Sequence, residues 1–205
     1  MSTRLVQATF SIHESDLPRL ALSSYNLPSR YESYTQIRED GLDNLKMAEH
    51  GFPGATEERF REIGRINGFV REFWSSTVNP DVDGADVLVG SVAHLFDTPD
   101  GVHDWMHNVF LHDFLNNVGV DAGEDQVLVG ADQFTPAGFY DEAVGLRASY
   151  NRYGHSISAT IIDFRVGRIL GVAYIATMGD HIRIEEVTDL GIKMEEYIVG
   201  VVLGL

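Results

Sequence analysis

The sequence predicts an α+β fold, a two-layer sandwich in which a mostly antiparallel sheet of five or six strands carries two long helices on one face. Short runs rich in β-branched and aromatic residues are separated by tight turns, which is typical of antiparallel hairpins. Two longer segments, near 99–118 and 184–203, have apolar residues at helical spacing. Each helix buries one apolar stripe, and we expect both stripes to lie against the same face of the sheet.

The strands are predicted from alternating or continuous apolar runs bounded by turn residues. In chain order they are 66–75, 86–96, 127–134, 143–150, 157–166 and 168–178. The Asp- and Gly-containing segment 79–84 joins the first two as a hairpin turn, and the segment 151–154 joins a later pair. A loose alternation over 5–12 also predicts an edge strand.

The helices are predicted from their end signals as well as their periodicity. Thr98 or the residue before it caps the helix near 99–118, with Pro99 in its first turn and Gly119 after its end. Short helices are predicted over 42–50 and after Thr56. The predicted core comprises Trp105, Met106, Val109, Phe110, Val172, Ile175, Val187, Met194 and Ile198.

Two predicted strands, 86–96 and 168–178, are apolar on both faces, which indicates that both faces are buried. If the helices cover one face, the other meets the N-terminal residues, a curled part of the sheet or another subunit. We interpret 1–55 as an extension that packs on a sandwich domain at 56–205, within one structural unit. An apolar face that stays uncovered predicts a homodimer or a higher assembly.

The charge balance excludes several kinds of partner. The chain has 31 acidic and 15 basic residues, for a net charge of −16. Such a surface repels phosphate, so we expect no nucleic-acid binding and no attraction to anionic membranes. The chain has no cysteine, which excludes disulfides, thiolate metal sites, a cysteine nucleophile and a lipid-anchoring cysteine.

The apolar runs are too short for a signal peptide or a membrane span. We therefore expect a soluble chain with no membrane insertion. The sequence assigns it to no compartment, because the absence of cysteine is compatible with either side of a membrane.

A pair of histidines is the strongest candidate for a transition-metal site. His103 and His107 are four residues apart on the first long helix, a spacing that places both on one face and that helical zinc sites use. A third ligand has to come from elsewhere, and His94 and His155 are candidates. Two histidines beside a core stripe need no metal, so we expect no tightly bound transition metal and no cofactor.

Three aspartates form a candidate calcium site. Asp81, Asp83 and Asp86 lie in or beside the predicted hairpin turn, and calcium requires several oxygen ligands that converge on one point. Their spacing departs from the EF-hand order. A solvated turn is the alternative interpretation, because Asp and Gly also favour turns for backbone reasons.

The chain contains no phosphate-binding loop, nucleophile elbow or dinucleotide fingerprint. Arginines are concentrated on the predicted strands near the C-terminus, as Arg147, Arg152, Arg165 and Arg168. We expect them to pair across strands with Asp141, Glu142 and Asp163, and the alternative is an anion-binding site.

Three segments resemble motifs of a family of bacterial domains of unknown function, often found in exported proteins and lipoproteins. They are Ser15-Asp16-Leu17-Pro18, Gly64-Arg65-Ile66-Asn67-Gly68-Phe69 and Phe139-Tyr140-Asp141-Glu142-Ala143-Val144-Gly145-Leu146. The family motifs are roughly DLP, GRxxGY and GDEAxxxR. Phe69 replaces the usual Tyr, and Tyr140 the usual Gly. The resemblance implies a shared fold over nearly the whole chain but no specific chemistry.

These observations lead to three functional hypotheses. The first is a non-enzymatic binding or assembly domain that uses a sheet face or a helix groove to hold a protein partner or a second copy of itself. The alternative is a sensor-type domain that binds a small ligand or a metal. The third is an enzyme of an unrecognised kind. An enclosed pocket lined by polar groups favours ligand binding or enzymatic activity over assembly.

Overall fold

The protein is an α+β domain built on one open antiparallel sheet. A computed structural model describes residues 3–75, 77–79, 81–121 and 126–205, and in these ranges the sheet has seven strands in the order β1-β2-β3-β7-β6-β5-β4. The strands are β1 Thr35–Leu42, β2 Arg65–Trp74, β3 Asp86–Phe96, β4 Gln126–Phe134, β5 Ala143–Arg152, β6 His155–Val166 and β7 Ile169–Met178. The predicted class and strand direction are confirmed, but the predicted strand number is too low.

The N-terminal region accounts for the difference in strand number. β1 was not predicted, because Arg38, Glu39 and Asp40 interrupt any apolar alternation. These charges suit its position, since β1 is an edge strand and most of its side chains are exposed. The edge strand predicted at 5–12 is wrong, because residues 3–8 form a helix and a single 3-10 turn follows.

The helices are α1 Thr3–Ala8, α2 Leu17–Leu20, α3 Asn44–Glu49, α4 Glu57–Glu62, α5 Pro99–Asp104, α6 His112–Asn116 and α7 Ile184–Leu203. A π-helical stretch, Trp105–Leu111, joins α5 to α6, and we call the continuous element the 99–116 helix. Its predicted cap is confirmed, because the Thr98 hydroxyl accepts a hydrogen bond from the Gly101 amide at 3.1 Å. Thr56 caps α4 in the same way.

The two long helices lie on opposite faces of the sheet, so the prediction of one shared face is wrong. α7 packs with Ile169, Ala173 and Ile175, whereas the 99–116 helix packs with Leu170 and Val172. These residues alternate along β7, and alternate residues of a strand point to opposite faces. Strands that are apolar on both faces are thus covered by a helix layer on each side.

The N-terminal residues complete both layers. Residues 12–34 bury Leu17, Leu20 and Tyr31 beside α7, and we call this side the α7 face. Residues 44–62 pack beside the 99–116 helix on the other side, which we call the cavity face. Because the chain covers its own sheet, the apolar strands no longer require a second subunit.

The predicted core is confirmed for all nine residues, each of which is buried. They divide between the faces: Ile175, Val187, Met194 and Ile198 lie on the α7 face and the other five on the cavity face. None of the helices in the described ranges combines the length and the apolar character that crossing a bilayer requires.

Candidate functional site

A cavity of about 390 Å³ lies between the sheet and the helices of the cavity face. Its wall is mostly apolar and includes Val92, Val109, Phe110, Ile161 and Val172. At one end it reaches the exposed residues His50 and Gly51, so it opens to solvent there. Its volume lies in the range of small-molecule sites, about 300–1,000 Å³.

Two glycines on the sheet make room for side chains in the cavity wall. A Cβ atom on Gly90 would lie 2.1 Å from the Tyr174 ring, and one on Gly68 would lie 2.4 Å from Nδ1 of His94. Both distances are below any normal contact, so a side chain at either glycine would displace the Tyr174 or the His94 ring. Gly68 belongs to the second of the three motif segments, which therefore helps to shape the cavity.

His94 enters the cavity wall as a neutral imidazole. Its Nδ1 lies 2.9 Å from Nη2 of Arg65, which can only donate a hydrogen bond, so Nδ1 is the acceptor. Burial and the neighbouring Arg65 cation hold the pKa of His94 well below its usual range. The ring proton is therefore assigned to Nε2, which gives the cavity wall a hydrogen-bond donor.

Arg65 is a buried cation that orients His94. Besides the imidazole, it donates to the Asn44 Oδ1 at 2.6 Å and to the Leu42 carbonyl at 2.7 Å. Burial lowers the pKa of Arg65 to about 10, which leaves it protonated at neutral pH. The guanidinium also lies 5.8 Å from the centre of the Trp105 ring, within cation–π range.

Asp163 is the most unusual residue of the cavity. It projects from β6 into the cavity wall with about 1% of its surface exposed, and neither carboxyl oxygen makes a hydrogen bond. Burial raises the pKa of Asp163 well above its usual range, and the nearby Trp105 indole lowers it by less. The indole N–H does not meet the geometry of a hydrogen bond to either oxygen. The predicted pairing of Asp163 with an arginine is wrong.

His103 and His107 meet a third potential ligand, Glu142, at the end of the loop before β5. Nδ1 of His103 lies 2.8 Å and Nε2 of His107 lies 2.7 Å from Oε1 of Glu142. Burial raises the pKa of Glu142, but the two imidazoles and Arg165 outweigh it, so the net pKa is below its usual range. Neither His94 nor His155 joins this cluster, which forms the one group of its kind in the described ranges.

The three aspartates of the candidate calcium site are not brought together. Asp86 accepts a hydrogen bond from Nε of Arg183 at 2.8 Å, and Asp83 lies 3.0 Å from Nε2 of His181. Asp81 is exposed. The residue before it, Pro80, lies outside the described residues. No group of three converging ligands includes these aspartates in the described part of the chain.

Cross-strand pairing of the arginines is confirmed in part. Arg165 pairs with Asp141 at 3.0 Å and with Glu142 at 3.4 Å. Arg147 pairs instead with Asp132 and Asp180. Arg168 donates to three backbone carbonyls, those of Thr9, Ile12 and Phe96.

Sequence reasoning missed the cavity residues Arg65, His94 and Asp163 as a functional group. One local signal was available for Asp163. Ile162 and Phe164 lie on one side of β6, and Ile161 and Asp163 lie on the other. Because both sides of the strand are otherwise apolar here, Asp163 is a charged residue at a position where an apolar one is expected.

No known protein family and no curated protein matches this sequence. A solved structure is similar in fold: the extracellular domain of PknH from Mycobacterium tuberculosis, with a TM-score of 0.59 and 10% sequence identity. The match covers 95% of this chain and 98% of that one. At this identity the likeness shows a common fold over the whole domain, and the resemblance to a family of unknown function stays a prediction.

Proposed function

We propose that this protein binds a small, mainly apolar molecule in the cavity, and that Asp163 anchors the polar group of that molecule. The observation that carries the proposal is the carboxyl group of Asp163, buried in the cavity wall with no hydrogen bond to either oxygen. A buried polar group without a partner destabilises a fold by about 1–3 kcal/mol. A ligand that supplies the partner removes this destabilisation, which links occupancy of the cavity to stability.

The cavity wall also defines the chemistry of the ligand. Its apolar area requires an apolar body, and Asp163 requires a donor such as an amine, an amide N–H or a hydroxyl group. His94 offers a donor on β3, and β7 lies between β3 and β6, so a ligand that contacts both polar groups has to extend across β7. The net charge of −16 disfavours an anionic ligand.

The alternative of a protein-binding or assembly domain stays a prediction. Its main support was the pair of strands that are apolar on both faces. In the structure the chain's own helices cover those faces, and assembly does not explain the cavity of small-molecule size. A ligand-binding role therefore accounts for more of the structure than an assembly role does.

The test uses N-phenyl-1-naphthylamine, an apolar fluorescent arylamine with one N–H donor. The wild-type protein is expected to bind it with increased fluorescence. Ala159→Leu fills the cavity from β6 and is expected to abolish the signal. Ala137→Leu adds the same three carbons at an exposed position between β4 and β5 and is expected to leave binding unchanged.

Asp163→Leu separates anchoring from cavity volume. Without ligand, this variant is expected to be more stable than the wild type in urea unfolding, because it removes a buried unpaired carboxyl group. Its affinity for the arylamine is expected to fall about tenfold, the equivalent of one hydrogen bond. Equal probe binding by the wild type, Ala159→Leu and Asp163→Leu contradicts the proposal.

A further inference from the structure

We propose that His103, His107 and Glu142 bind a zinc ion on the flank of the 99–116 helix. The inference is independent of the cavity ligand, because none of the three residues lines the cavity. The histidines alone were insufficient for a site. Glu142, 35 residues beyond His107, supplies the third ligand that the sequence did not reveal.

The three ligand groups lie close together. Nδ1 of His103, Nε2 of His107 and the Glu142 carboxylate lie within 4.8 Å of one another. The two imidazole rings are 4.6 Å apart between centres. Ligand atoms around a tetrahedral zinc with bonds of about 2.0–2.2 Å are about 3.4 Å apart, so small rotations of the side chains complete the geometry.

The local structure explains how the histidines reach this position. The helix changes from α to π between His103 and His107, at Trp105. The buried residues Trp105 and Met106 turn toward the core, and the two histidines stay on the flank that faces Glu142. π-Helical insertions are rare and occur frequently at functional sites.

Arg165 holds the carboxylate in place. Its Nη1 lies 3.4 Å from Oε2 of Glu142, while Oε1 of Glu142 faces His107. The Arg165 amide also donates to the Glu142 carbonyl at 2.9 Å, and its Nε donates to Asp141 at 3.0 Å. Hydrogen bonds of this kind orient the ligands of metal sites, and the Asp141 carboxylate offsets the positive charge of the arginine.

The donor set selects the metal. Two imidazole nitrogens and one carboxylate oxygen suit zinc and neighbouring transition metals, whereas calcium and magnesium require more oxygen ligands. The side chains of His103 and His107 are 51% and 37% exposed, so solvent supplies a fourth ligand. The chain has no cysteine that competes for the ion.

The experiment is a titration of chelator-treated protein with zinc chloride, followed by calorimetry and by thermal unfolding. We expect one zinc per chain and a rise in Tm of roughly 5–10 °C at a hundredfold excess over Kd. His107→Ala and Glu142→Gln are expected to weaken binding at least tenfold. Magnesium chloride at the same concentration is expected to leave Tm unchanged.

His112→Ala is the matched control, because His112 is exposed on the same helix and contacts Asp113 instead of Glu142. It is expected to bind zinc like the wild type. Cobalt(II) gives a second readout: the visible spectrum of a four-coordinate ion should appear with the wild type and disappear with His107→Ala. Far less than one zinc per chain, or equal losses with His112→Ala and His107→Ala, overturns the proposal.

Discussion

The two faces of the sheet use the same strands but bury different kinds of residue. On the α7 face, Ile162 and Phe164 of β6 pack fully buried under α7. On the cavity face, Ile161 and Asp163 of the same strand border about 390 Å³ of space. Each face buries a carboxyl group, but Glu195 in α7 accepts hydrogen bonds from the Tyr140 amide, whereas Asp163 accepts none.

This difference agrees with the proposed function, in which the two faces have different tasks. The side chains packed under α7 and the hydrogen bonds to Glu195 stabilise the domain, because close packing and hydrogen bonding both favour the folded state. A cavity with an unsatisfied carboxyl group lowers stability, and such losses concentrate where a protein binds something. Under the proposed function, the α7 face is the scaffold and the cavity face is the binding side.

The largest expected effect tests how the scaffold holds the N-terminal residues. Arg168→Met removes the guanidinium that bonds the carbonyls of Thr9, Ile12 and Phe96. We expect the free energy of unfolding to fall by roughly 3–5 kcal/mol, because buried carbonyls lose their donor. Urea unfolding measures it, with the exposed Arg4→Met as a control that should stay within about 0.5 kcal/mol. Equal values for the two variants would show that this anchor contributes nothing.

The second effect is a pH dependence that arises in α7. Burial raises the pKa of Glu195 to about 7, with a smaller contribution from Asp141 and Glu196, while the Tyr140 amide opposes the shift. An unfolded glutamate has a pKa of about 4.3. Between these values the folded state holds the extra proton, so stability falls as pH rises toward 7.

Glu195→Gln removes this titration and keeps an acceptor for the Tyr140 amide. Relative to the wild type, its free energy of unfolding is expected to increase by roughly 1–3 kcal/mol between pH 5 and pH 8. The neighbouring Glu196→Gln, at an exposed position, should show no such trend. A pH-independent difference for Glu195→Gln would place the titrating group elsewhere.

A third effect compares the space available on the two faces. Ala173→Leu on β7 adds three carbons to the packed α7 face and is expected to destabilise the protein by roughly 1–3 kcal/mol. Ala159→Leu on β6 adds the same atoms to the cavity and should change stability by less than about 0.5 kcal/mol. If Ala159→Leu is as destabilising as Ala173→Leu, the cavity cannot accept a ligand group.

The smallest effect is the difference between two identical deletions in helices. Val187→Ala in α7 leaves a new void and is expected to lower stability by about 2–3 kcal/mol. Val109→Ala in the 99–116 helix only enlarges an existing cavity, so we expect about 1–2 kcal/mol. Urea unfolding of the two variants measures both changes in stability. A loss within experimental noise for Val109→Ala would show that its side chain does not contact the core.

Periodic features of this fold could be predicted from the sequence. The apolar stripe of α7 and the caps at Thr56 and Thr98 depend on residues within a few positions of one another, and the structure confirms them. The edge strand β1 was missed because its charged sequence has no apolar alternation. Its strand conformation depends on pairing with β2, which its own sequence does not show. The side of the sheet that each helix covers was predicted wrongly, since it depends on how the chain connects distant strands.

The candidate sites were predicted only as far as local spacing reaches. His103 and His107 could be paired because they share a helix, whereas Glu142 is separated from His103 by 39 residues. Arg65 and His94 meet across neighbouring strands at a similar distance in sequence, 29 residues. Two of the resembling motif segments contribute to these sites, through Arg65 and Gly68 in one and Glu142 in the other.

The order of strands in the sheet has a consequence for how the protein is made. β3 lies beside β7 at the centre of the sheet, although some 70 residues separate them along the chain. Arg168 likewise contacts Thr9 across 159 residues. During synthesis the N-terminal residues leave the ribosome first and must wait for β7 before either core can close. Folding therefore finishes only after nearly the whole chain has emerged, and contacts this distant in sequence make it slow.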